Sequence, residues 1–410
     1  YWGTIEYKTD GNTGYTTGVD IGAEWNSGEL VEILLDDGDM NLDSRSQEQM
    51  TINGNSTIVP GIKIGSPITL ATVDEIYVFD GGAAGQLLDE NIAANACSSD
   101  YAGAGNENSY ISCYEKYSER AIATMSSSGA AITLATGDHI VFRYGDGTNT
   151  YTSVDDLKTL VAGANGTAAY TYINYDFRSW NSGSDDRNYY LNFTVGDDNV
   201  LSEEGNDVKT YTKPAGSDNF TTETVTNACQ GLVGSCLFNS PEMKARFSAA
   251  LTTSEALNVV VDTNALNSAT LNTLSAGTNY AMTMDFVTFG QSNDGVTPSD
   301  RHNNSIYRLE VDETETDSGI FVGELDFIML NQINVNQTST YNISKTDFEE
   351  NRIIVHNDLT DEDEIRINYF DMGADGVETQ VGDQLAAPTH SGVVEFDNDS
   401  YKEADTVVVT

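Results

Sequence analysis

The chain has 410 residues, 64 of them acidic against 19 basic, for a formal net charge of −45. A field of that sign repels nucleic acid and anionic lipid, and it gathers cations over a Debye length of about 8–10 Å at moderate salt. Hydrophobic residues make up 39% and are interleaved with the acids, which excludes a wholly disordered acidic tail. No stretch reaches the roughly 18 apolar residues that a spanning helix needs, so no membrane span is expected.

Taken in order, Gly3 to Lys8 (GTIEYK) alternates and predicts a first strand. Glu29 to Leu35 predicts a second, running into the acidic loop Asp36-Asp37-Gly38-Asp39-Met40-Asn41-Leu42-Asp43. Thr51 to Thr72 holds two short alternating runs, and Glu75 to Phe79 (EIYVF) a further strand. Gly85 to Ala96 is expected to be a short helix. Tyr114 to Thr124, Ala130 to Leu134 and the segment after Gly137-Asp138 read as strands, the last closed by Gly145-Asp146-Gly147. Val154 to Ala162 reads as a helical linker. Strands follow at 168–178 and 189–195, then an acidic loop to Asp207. Thr224 to Leu251 is the best helical candidate. Strands are then expected at 257–261, 280–289, 306–311, 320–329, 352–356 and 365–370.

Short strands separated by Gly, Asn and Asp turns, with only six Pro, predict an all-β chain of tandem immunoglobulin-like β-sandwich domains. Gly137 to Gly147 echoes Asp363 to Gly373: each sets an acid before an alternating strand that ends in Tyr and then Asp. The expected units are 1–150, a larger region 151–387 that divides near 300, and an opening hairpin at 388–410 completed by further chain or by a neighbour. Starting at Tyr1-Trp2-Gly3 and ending mid-strand at Thr410, the sequence reads as a piece of a longer or processed chain.

The four cysteines form two local pairs in sequence, Cys97 with Cys113 and Cys229 with Cys236. Of the three possible pairings this local one is expected, holding small helical or loop insertions in an oxidising, extracellular setting; four buried thiols are the alternative. No C-x-x-C spacing occurs and His is scarce, which speaks against zinc and haem.

The sharpest chemical motif is Asp37-x-Asp39-x-Asn41-x-Asp43 with Glu48. Oxygen side chains at such spacing resemble the ligand positions of a calcium loop, because crowded carboxylates repel one another unless a hard cation neutralises them. Two departures stand out: Leu42 occupies the position an EF-hand gives to Gly, and a strand precedes the loop in place of a helix. The alternative is a solvated acidic turn. Looser acidic groups lie at Asp197-Asp198-Asn199 with Glu203-Glu204, at 361–364, and at Asp371 with Asp375.

No nucleophile motif accompanies His139, His302, His356 or His390, Gly-x-Ser-x-Gly is absent, and carboxylates are too abundant for a catalytic pair to stand out; a non-enzyme is expected. Asn-x-Ser/Thr acceptors occur at Asn55, Asn165, Asn192, Asn219, Asn303, Asn336, Asn342 and Asn398, about as many as so Asn-, Ser- and Thr-rich a chain yields by chance.

The run Asp312-Glu313-Thr314-Glu315-Thr316-Asp317-Ser318-Gly319-Ile320-Phe321-Val322-Gly323-Glu324-Leu325 resembles the surface-layer (S-layer) proteins of ammonia-oxidising archaea (Thaumarchaeota). So do Asp358 to Asp363, Ile367-Asn368-Tyr369, Gly373 to Gly376, Ala387 to Val394 and the tail Tyr401 to Thr410. The resemblance is specific over about 305–410 and extends to 1–50 through the first acidic loop. It implies a large secreted chain of immunoglobulin-like domains that tiles the cell surface as a two-dimensional lattice with acidic pores passing ammonium. The partners this implies are copies of the same chain and small cations; calcium, from the Asp37 loop motif, is the expected cofactor. An extracellular filament or adhesin that donates the hairpin Val393 to Thr410 to a neighbour is the alternative. A secreted carbohydrate-acting or carbohydrate-binding protein would require a carboxylate pair in a cleft.

Overall fold

The computed structural model describes residues 4–8, 30–54, 57–73, 75–79, 86–89, 111–124, 132–133, 139–144, 169–180, 190–197, 233–237, 255–262, 273–274, 279–291, 301–329, 351–355, 364–372, 377–386, 400 and 402–403. Among these residues the chain is mostly β-strand, in antiparallel sheets, with almost no helix. Helical structure is limited to single 3-10 turns at Gly38–Met40, Leu70–Thr72 and Arg178–Trp180. Every strand pairing described is antiparallel except Ile320–Met329 with Asn351–Val355.

A six-stranded sheet runs Thr4–Lys8, Leu30–Asp36, Ile320–Met329, Val311–Glu313, Gln49–Met50, with Asn351–Val355 paired to the far end of Ile320–Met329. A nine-stranded sheet runs Val233–Leu237, Ala169–Asp176, Asn279–Gln291, Arg301–Arg308, Gly61–Ile64, Glu364–Met372, Glu378–Ala386. The hairpin Ile111–Tyr114 and Ala121–Thr124 joins it through Asn279–Gln291. A five-stranded sheet orders Tyr190–Asp197, Glu255–Asp262, His139–Tyr144, Glu75–Phe79, Gln86–Asp89, and Ile132–Thr133 pairs with Thr273–Leu274. Each of these sheets combines strands from before and after residue 150, so the expected boundary there does not separate two sets of hydrogen-bonded strands. The segment 388–410 lies almost wholly outside the described residues.

Two helical expectations give way to strands. Gln86–Asp89 pairs with Glu75–Phe79, and Val233–Leu237 pairs with Tyr172 to Asp176. Leu and Gln are good helix formers, but helix propensity is a small term per residue and a partner strand outweighs it. The rest of 224–251 and the linker 154–162 lie outside the described residues.

Alternation explains the main core. Ile33 and Leu35 point inward from one strand, Phe321 and Leu325 from its neighbour, and Met50, Val311 and Ile353 complete that sheet's contribution. They meet Ile62, Tyr307, Ile365, Ile367 and Tyr369 of the nine-stranded sheet. Each such side chain contributes roughly 1.5–3 kcal/mol by leaving water. An aromatic cluster ties the nine-stranded sheet to the five-stranded one: Phe142 stacks on Phe177 at 5.6 Å, and Tyr144 meets Phe286 edge-on at 5.4 Å.

The opposite face of the nine-stranded sheet carries a buried ionic knot. The turn Glu115 to Arg120 lies over Gly61, where a Cβ would be in van der Waals contact with Tyr117 O at 3.5 Å and Ser118 Cα at 3.7 Å. Arg120 is fully buried and donates from Nε to both Glu115 oxygens at 3.0 Å. Its Nη1 donates to the carbonyls of Thr51, Ile52 and Gly54 at 3.2, 2.8 and 3.0 Å, and its Nη2 to Thr57 O. Arg308 donates to Ser118 O and to both oxygens of Asp285. Burial pushes the Glu115 and Asp285 carboxyls upward, and the guanidiniums beside them pull the other way.

Candidate functional site

At one end of the main core the inward-facing register runs on past the last apolar residue into acid. Ile33 and Leu35 are followed at the same period by Asp37; Ile367 and Tyr369 by Asp371; Leu309 and Val311 by Glu313. Glu48 precedes Met50 and Ile52 in the same way. A strand places residues two apart on one face, so four carboxylates converge where the core closes.

Asp37 is 1% exposed and caps the Gly38–Met40 turn, its Oδ1 accepting from Asp39 N at 3.0 Å. Tyr369 OH donates to Asp37 Oδ2 at 2.9 Å. Oxygens of Asp37, Asp39 and Asp371 all lie within 4.8 Å of one another. Burial raises the Asp37 carboxyl, the Tyr369 hydrogen bond opposes that, and the charges of Asp371 and Asp39 add to it. Burial and the Asp37 charge hold the Tyr369 hydroxyl well above its ordinary range, so it stays a donor.

The neighbouring pair is Glu48 and Glu313. Glu313 Oε1 accepts from Ser318 N at 2.9 Å and Gly319 N at 2.8 Å, and its Oε2 from Glu48 N at 3.1 Å. Burial pushes Glu313 up, but these backbone donors outweigh it and leave the group below its ordinary value. Glu48 is raised, by desolvation first and then by Glu313. Gly319 makes the cradle possible. Its φ is +63°, and a Cβ would stand 2.9 Å from Gly38 Cα.

The five residues of the calcium-like motif are thus distributed. Asp37 and Asp39 come together, and their third carboxylate is Asp371, from a strand more than three hundred positions away. Asn41 Nδ2 donates to Asp317 Oδ1 at 2.9 Å. Asp43 is exposed; its Oδ1 accepts from Arg45 N at 3.1 Å, and its own N donates to Glu48 Oε1 at 2.8 Å. The pairing of Asp371 with Asp375 falls outside the described residues at Asp375. Asp39 Oδ2 and Asn41 Oδ1 are covered by protein and accept no hydrogen bond among the described residues. Hard oxygens alone, three of them carboxylate, fit calcium or magnesium and not a thiophilic metal.

Cys113 sits in a strand opposite Ile122, and Cys236 opposite Ile173. Cys97 and Cys229 lie outside the described residues. Asn192 and Asn303 fall inside paired strands, opposite Val260 and Phe289; Asn55, Asn165, Asn219, Asn336, Asn342 and Asn398 lie outside. No helix among the described residues is long and apolar enough to cross a membrane. Compared with models of protein families and with curated proteins, the chain matches none.

Proposed function

We propose that the chain is a non-catalytic, self-assembling structural subunit of an extracellular surface layer, the S-layer of an ammonia-oxidising archaeon. In this reading its sheets belong to immunoglobulin-like sandwiches, its acidic surface enriches cations such as ammonium at pores, and calcium is held by Asp37, Asp39 and Asp371. One observation carries the reading: a −45 chain folded as antiparallel sheets brings the carboxylates of Asp37, Asp39 and Asp371 within 4.8 Å of one another at the end of its core. Such a surface associates only when dissolved cations offset its self-repulsion. Negative-stain imaging of the purified chain with millimolar calcium tests this. Planar sheets are expected, and threads would favour the filament or adhesin. A monodisperse monomer at every calcium concentration sinks the assembly reading. Equal passage of ammonium and a neutral tracer of the same size through isolated sheets would remove the sieving role.

A further inference from the structure

The outward face of the hairpin Glu364–Met372 and Glu378–Ala386 carries Arg366, Asn368, Phe370, Gln380, Gly382 and Gln384. These side chains are locked to one another. Arg366 Nε donates to Asn368 Oδ1 at 3.0 Å and its Nη1 to Gln384 Oε1 at 3.3 Å; Gln380 Nε2 donates to Asn368 Oδ1 at 2.6 Å, and Tyr117 OH to Gln380 Oε1. Guanidinium nitrogens only donate, which fixes the direction of every amide in the network. Its oxygens are therefore consumed internally, and what it has left to offer is N–H: the remaining Arg366 protons, Asn368 Nδ2 and Gln384 Nε2. Gly382 lets the network lie flat, since a Cβ there would meet Ile367 O at 2.8 Å and Arg366 Nη2 at 3.4 Å. Lys116, 5.1 Å above the Tyr117 ring, adds a second cation at the rim.

Arg45 and Lys402 are further exposed cations among the described residues. Lys63 and Arg178 are both bound to carboxylates. Arg366 and Lys116 are exposed and touch no carboxylate among the described residues. The opposite charge is concentrated at the other end of the same hairpin. Arg366 stands five positions from Asp371, roughly 17 Å along an extended strand. Beside Asp371 and Asp37, the tip Thr314 to Ser318 exposes Glu315 and Asp317.

We infer that the shelf seats the acidic Glu315–Asp317 tip of a second copy, giving a head-to-tail contact along the strand direction. The inference rests on the self-assembly reading and names one contact within it. Such a heterologous contact propagates rows where a two-fold contact would stop at a dimer. Salt is a poor probe, because it screens this attraction and the global −45 repulsion together, so charge reversal is the test. Self-association of the 410-residue chain is measured by sedimentation equilibrium in millimolar calcium, with melting curves confirming the fold of each variant. Arg366→Glu and Glu315→Lys are each expected to weaken association about tenfold, and the double variant to recover most of it. Arg366→Gln, which keeps a planar amide, should fall between. Single reversals without effect, or no recovery in the double variant, overturn the contact. Sheets with unchanged spacing in Arg366→Glu would sink the contact and leave the surface-layer reading standing; a recovering cycle without sheets would do the reverse. Polygalacturonate oligomers bound through Arg366 by a chain that does not self-associate would assign the shelf to an acidic glycan and overturn the second copy.

Discussion

Two regions of the molecule bury carboxylates and neutralise them by different means. In the knot on the nine-stranded sheet, Glu115 and Asp285 meet Arg120 and Arg308, and the guanidinium protons left over go to backbone carbonyls. At the acidic end of the main core, Asp37, Asp39 and Asp371 face one another, and the help nearest to hand is a tyrosine hydroxyl and backbone N–H. The knot carries its counter-charge in the chain. In the proposed reading the acidic end takes counter-charge from solution, as protons or metal ions, and its stability should then follow the medium.

The largest effect is expected in the knot. Arg120→Met leaves Glu115 buried with Ser118 as its remaining partner and strips donors from the carbonyls of Thr51, Ile52, Gly54 and Thr57. Breaking a buried pair on one side costs about 3–5 kcal/mol, read as a drop in the urea midpoint. Removing both partners together, as Arg308→Met with Asp285→Leu, should recover much of the loss of Arg308→Met alone. A double variant as unstable as the single would mean that the carbonyl contacts of Arg308, and not the ion pair, hold the knot.

The sequence showed one region far better than the other. The all-β class followed from alternation, and strands such as Leu30–Asp36, His139–Tyr144 and Ile320–Met329 lie where it placed them. Glu378–Ala386 was missed, because a strand with few β-branched residues is held by its partner and not by its own preference. The interleaving of early and late strands is set by long-range pairing, which no local pattern encodes. The acidic end was half legible. Spacing along one loop suggested Asp37 and Asp39, but the step that brings in Asp371 was in the period-two register of Ile367, Tyr369 and Asp371. The knot was not foreseen: nothing around Arg120 or Arg308 marks an isolated arginine as a core residue until the turn above Gly61 is in place.

Next in size is the cradle that joins the Asp37 loop to Glu313. Gly319→Ala puts a Cβ 2.9 Å from Gly38 Cα at a φ of +63°, and the strain is expected to cost about 1–3 kcal/mol. If the acidic end rather than the knot takes the damage, the calcium response should fall with the melting temperature. An unchanged calcium response would detach the cradle from the cation site.

Calcium and protons should then act as substitutes at the acidic end. Asp37 holds its proton more tightly folded than unfolded, so stability is gained as pH falls through its raised value and is complete below its ordinary 3.8. Glu313 has the reverse sign: its contribution is full above its ordinary 4.5 and is lost as pH falls through the lowered value. At pH 7, calcium at ten times its dissociation constant should add about 1.4 kcal/mol, with the gain shrinking as Asp37 takes up its proton. Asp37→Asn should abolish the gain and by itself raise the calcium-free melting temperature. A calcium response unaltered in that variant would move the ion elsewhere.

The smallest effect tests where the knot ends. Lys63 is bound to Glu119, but the two side chains are 41% and 12% exposed, and Glu119 Oε2 also accepts from Thr69 Oγ1 at 2.7 Å. Water can replace the ammonium, and the threonine still holds the carboxylate, so Lys63→Met is expected to cost under about 1 kcal/mol. Thermal melts of the variant beside Arg120→Met give the ratio directly. A loss approaching that of Arg120→Met would place Glu119 and Lys63 inside the knot with Asp285, making the self-neutralised region larger than its two arginines and the contrast with the acidic end sharper still.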